Sequence, residues 1–122
     1  MQTKNSIIRQ KTLDFAVRIV NLYKYIINEK KECVLSKQLL RSGTSIGANV
    51  NEAIYGQSKK DFISKLHISL KEASETEYWL ELLNKTGYID EREYQSISND
   101  NIEILKILTS IIKTSKENFN SL

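Results

Sequence analysis

The sequence predicts an all-α fold: an antiparallel, up-down-up-down four-helix bundle forming one domain over residues 1–122. Three observations carry this expectation. Proline is absent and glycine occurs only four times, so the turn chemistry of a sheet fold is missing. Apolar residues recur at helical spacing in four successive stretches. The connections between those stretches are a few residues long, which makes consecutive helices antiparallel neighbours.

The first helix is expected from about Lys11 to Asn28, with Ser6 as an earlier entry point. Phe15, Ile19, Leu22 and Ile26 form one apolar row, and Ala16, Val20, Tyr23 and Ile27 form a second beside it. Two rows make a face wide enough for more than one neighbour. The charged run Glu29–Glu32 marks a connection. Ser36 is the expected N-cap of the second helix, with Leu35 and Leu40 placed as a hydrophobic staple. That helix should continue to Tyr55 and stop at Gly56, burying Leu39, Ile46, Val50 and Ala53. Ser58 caps the third helix, whose apolar spacing from Phe62 to Leu83 is broken by Glu77, and Gly87 ends it. Asp90 and Glu93 have capping-box spacing for the fourth helix, which runs through Tyr94, Ile97, Ile104, Leu108 and Ile111. Fraying is expected from Ser115.

The second helix carries the least ordinary pattern. Ser42, Ser45, Asn49 and Glu52 fall at i, i+3, i+7 and i+10 and share one side, with Gly43 and Gly47 beside them. Small side chains let another helix approach closely, and buried hydroxyl and amide groups must then be hydrogen-bonded. Glu52 and Glu77 are candidates to complete such a packing or interface network, with Arg41 the nearest compensating cation.

Charge and chemistry exclude more than they assign. The net charge is +3, but residues 1–41 hold nine basic and three acidic side chains, whereas the remainder is acidic. Lys4, Arg9, Lys11, Arg18 and Lys24 are therefore the candidate contacts to nucleic-acid phosphates. A di-iron bundle site needs paired Glu-x-x-His motifs, and the single histidine, His67, has Ser64 three residues before it. His67 is expected at the surface or an interface. One cysteine offers no zinc spacing and no internal disulfide, so Cys33 reads as a buried or half-buried small apolar residue in a cytoplasmic protein. Gly43 and Gly47 lack a phosphate-loop Lys-Ser/Thr. The tyrosines and Trp79 are scattered without interleaved bases; Trp79 beside Tyr78 reads as a packing anchor. No catalytic residue, metal ligand, cofactor, membrane span or small-molecule substrate is expected.

The run LLRSGTSIGANVNEA and the later KKDFISKLHISLKEASETEYWLELL resemble a known family. The match lies in Leu39, Arg41-Ser42, Ser45-Ile46 and Asn49-x-x-Glu52, and in Phe62, Leu66, Glu72, Glu77 and Leu80. These residues are similar to the four-helix-bundle proteins first named from reading frames in intervening sequences of bacterial large-subunit rRNA genes, formerly assigned as a ribosomal protein. The same fold resembles the accessory protein of diversity-generating retroelements. The resemblance implies a ring-like homopentamer without established enzymatic activity, with RNA or DNA binding suspected. Where many members read Ala-Glu-Gly, this chain has Asn51-Glu52-Ala53, which moves the glycine stop to Gly56. The expected role is a non-enzymatic, self-associating scaffold; the alternative is an RNA- or DNA-binding accessory module.

Overall fold

A computed structural model describes residues 3–120. Each helix begins where a side chain takes up free backbone N–H groups. Helix α1 (Lys4–Tyr25) starts ahead of both expected entry points, because Thr3 and Ser6 form a reciprocal capping box. The Thr3 hydroxyl accepts the Ser6 N–H at 3.1 Å, and the Ser6 hydroxyl accepts the Thr3 N–H at 3.0 Å. The helix widens into a π turn over Ile26–Lys30 and stops at Lys31, whose φ of 56° is left-handed.

Helix α2 (Val34–Ile54) corrects the expected cap. Ser36 lies inside the helix, buried, with its hydroxyl donating to the Glu32 carbonyl at 2.8 Å. The Glu32 carboxylate does the capping. It accepts the N–H groups of Val34, Leu35 and Ser36 at 2.9, 2.8 and 2.8 Å. A carboxylate reaching across from the connection serves three donors, where a serine cap would serve one or two.

Helix α3 (Lys59–Lys85) starts as expected, with the Ser58 hydroxyl accepting the Asp61 N–H at 3.0 Å. At its end Gly87 adopts φ +85°, Tyr88 N–H returns to the Leu83 carbonyl at 2.9 Å and Gly87 N–H to Asn84 at 3.1 Å. This is the paired closure that a left-handed glycine permits. Helix α4 (Glu91–Asn120) is capped by Asp90, which accepts the Glu93 N–H at 2.8 Å. It continues as helix past Ser115, where fraying is expected, and Ile111, Ile112 and Ser115 are buried, so it is packed on the core as far as that residue. Ser121 and Leu122 lie outside the described residues.

The four helices pack in the expected antiparallel order. Of the seams between neighbouring helices, α2/α3 is the most extensive and α1/α4 the slightest. Ile19, Ile26, Leu39, Ile46, Val50, Leu80, Leu83, Ile97 and Leu108 are sealed from solvent. The second apolar row of α1 is half-buried. Gly43 and Gly47 set the spacing of α1 against α2. A Cβ at Gly43 would stand 2.8 Å from both Ile19 Cγ atoms, and one at Gly47 would stand 3.2 Å from the Thr12 carbonyl oxygen.

Two consequences can be measured. Gly43→Ala forces Ile19, a stiff β-branched side chain, out of its position and should destabilise the bundle by about 1–3 kcal/mol in urea denaturation, despite alanine's better helix propensity. The second concerns Glu32. Desolvation raises its pKa, but the hydrogen bonds from Leu35, Ser36 and Val34 outweigh this and hold it below its ordinary value. A depressed folded pKa contributes stability above the unfolded carboxylate's titration and loses it as pH falls through the folded value. Glu32→Gln should therefore melt lower than the parent at neutral pH, with the gap closing in acid.

Candidate interaction surfaces

The ridge on α2 faces α3 of the same chain. Ser42 is buried and accepts a hydrogen bond from the Thr76 hydroxyl at 2.9 Å. At the other end Glu52, exposed, pairs with Lys65 at 3.7 Å. Ser69 donates to the Ile46 carbonyl at 2.8 Å between them. Ser45 and Asn49 lie in the same column, half-buried, and satisfy themselves locally: Ser45 donates to the Arg41 carbonyl at 2.6 Å and Asn49 to the Ser45 carbonyl at 2.8 Å. The matching column on α3 is Lys65, Ser69, Glu72 and Thr76, at i, i+4, i+7 and i+11. One carboxylate oxygen of Glu72 is buried there without a protein partner.

The expected network does not close as one set. Arg41 compensates neither Glu52 nor Glu77. Its guanidinium reaches Glu75 at 3.2 Å, and the Trp79 indole N–H donates to the same carboxylate oxygen at 3.2 Å. Glu77 faces away from α2, toward α4, where it accepts from Ser98 at 2.7 Å and from Tyr94 and Asn101 at 3.2 Å each. That explains a carboxylate at a leucine position: three donors from α4 converge on it. Burial, and then the Glu77 carboxylate, push the Tyr94 phenol above its ordinary pKa. Nothing in the periodicity of α3 signals Ser98 and Asn101 as its partners. They become visible only when α3 and α4 are set antiparallel.

The five basic residues do not form one free patch. Lys11 pairs with Glu103 at 2.7 Å, and Arg18 with Asp100 at 2.8 Å and Glu93 at 3.4 Å, both across the α1/α4 seam. Arg9 donates to the Asn51 side chain at 3.1 Å. Lys4 and Lys24 are exposed. Cys33 is exposed, contrary to its expected burial, because it stands in the connection just before α2 and not on the helix's apolar face. His67 is exposed. Among the described residues, no group of three or more His, Cys, Asp or Glu could hold a metal ion, and no helix is long and apolar enough to cross a membrane.

An apolar surface was not foreseen. Leu13 and Val17, one turn apart on α1, are 47% and 54% exposed. Leu13 also lines an α1/α2 groove of about 240 Å³, with the small residues Ala16, Gly47 and Ala48 and the polar Arg9, Thr44 and Asn51. Helical spacing contained the signal, since Leu13 and Val17 fall outside both rows assigned to the core of α1.

Comparison with known proteins agrees with the fold. A solved structure from Bacteroides thetaiotaomicron, described as a protein of unknown function from the S23 ribosomal protein family, is 63% identical, with a TM-score of 0.90 over 91% of this chain and 99% of that one. No curated protein matches. Residues 4–110 match the family described as 23S rRNA-intervening sequence protein. With that match spanning nearly all of the bundle, the chain belongs to the 23S rRNA-intervening sequence protein family.

Proposed function

We propose that the protein is a non-enzymatic scaffold that self-associates into a homo-oligomeric ring, a pentamer as the family resemblance implies, through the α1/α2 face. The supporting observation is the exposed pair Leu13 and Val17, of which Leu13 lines a groove together with the small residues Ala16, Gly47 and Ala48. A contiguous apolar strip next to a shallow groove is what a helix of a second copy would cover. The polar ridge of α2, by contrast, supports packing within the subunit, since its ends are engaged by Thr76 and Lys65.

Light scattering after size exclusion tests this. The expected mass is a multiple of the 14.1 kDa subunit at micromolar concentration. The double substitution Leu13→Glu, Val17→Glu should shift the protein to monomer while helicity by circular dichroism stays unchanged, because both side chains are already half in water. A parent protein that runs as a monomer overturns the scaffold reading.

Nucleic-acid binding is the weaker reading, because Lys11 and Arg18 are already neutralised by α4 carboxylates. If it holds, retardation of structured RNA should fall steeply with salt and weaken in Lys4→Ala, Lys24→Ala, whose side chains are the uncommitted ones.

A further inference from the structure

At the end of the bundle where α1 passes into its π turn and α3 turns into α4, the structure leaves a cavity of about 650 Å³. That volume lies in the range of small-molecule sites. Tyr25 and Tyr88 supply aromatic walls, with Leu22 and Ile89 as further apolar surface. A π turn at its edge is the kind of helix irregularity that recurs at binding sites.

The chemistry of the lining selects a charge. Arg18 borders the cavity, but its guanidinium is committed to Asp100, Ser96 and Glu93, so Arg18 and Glu93 offset one another. Asp90 and Glu91 remain, opposed by Lys30 alone. One oxygen of Asp90 accepts the Glu93 N–H and one of Glu91 accepts the Gln95 amide, which leaves each carboxylate a second oxygen for a ligand. The backbone adds to the bias. The C-terminal ends of α1 with its π turn and of α3 both lie here, bringing two negative dipole ends against the one positive end of α4.

We propose that this cavity binds a small organic cation: an alkylammonium or guanidinium whose apolar stem lies against the tyrosines and whose charge meets Asp90 and Glu91. Tyrosine faces attract such cations, and desolvated contacts of this kind are favourable. The site is separate from the α1/α2 face and does not depend on assembly. Two sources share the chemistry, a free polyamine and an arginine side chain presented by a peptide.

Calorimetric titration of the full chain with spermidine, and in a second arm with N-acetyl-arginine amide, tests the proposal. The expected result is saturable binding of one cation per subunit, with the tighter arm identifying the source. Tyr25→Ala and Glu91→Gln should each weaken it at least fivefold, with thermal melts confirming that the exposed substitutions leave the fold intact. Absence of saturation in both arms at millimolar ligand, affinity in the two variants unchanged from the parent, or preferential uptake of inorganic phosphate would each overturn it. Light scattering on the same samples separates the two readings: a monomer that binds the cation refutes the ring alone, and a ring that does not bind refutes the cavity alone.

Discussion

The close approach of α2 to its neighbours on two sides is the constraint on which the rest of the bundle depends. On one flank Gly43 and Gly47 let the Ile19 side chain and the Thr12 backbone come within contact of bare Cα positions. On the other, Ser42 meets Thr76 and the Ile46 carbonyl receives Ser69. Small side chains alone would permit this spacing. The hydroxyls make it specific, since each buried donor left without a partner would cost about 1–3 kcal/mol. A sliding of α3 along α2 would strand these groups, so the polar column selects one register from many that an all-apolar seam would tolerate.

A second polar device acts between α3 and α4. Glu77 gathers Tyr94, Ser98 and Asn101, and Asn101 also donates to the Ala73 carbonyl at 2.9 Å. The two devices lie on different faces of α3, which is why Glu77 and the α2 ridge do not join. Helix α3 is thus held on both sides by hydrogen bonds of fixed geometry as well as by apolar contact.

Much of this was legible in the residues. The apolar rows of all four helices, the Ser58 and Asp90 caps, the Gly87 stop and the antiparallel order follow from spacing and local chemistry. The failures share a cause. A hydroxyl at Ser36 is the local candidate for a cap, but the Glu32 carboxylate, reaching forward from the connection, serves more donors. Fraying from Ser115 is the expectation for a chain terminus, yet Ile111, Ile112 and Ser115 itself are buried on the core. The partners of Arg41, Arg18 and Glu77 lie on other helices, and spacing along one helix carries no information about which turn of a neighbour stands opposite.

The slight contact between α1 and α4 has its own consequence. Ion pairs bridge that seam at Lys11 and Arg18, whereas the α2/α3 side is cemented by buried groups. The molecule therefore resembles a book whose spine is held by buried hydrogen bonds and whose fore-edge is held by surface ion pairs, the kind that salt screens first. The cleft beside Tyr25 and Tyr88 sits at one end of the bundle, where the covers meet.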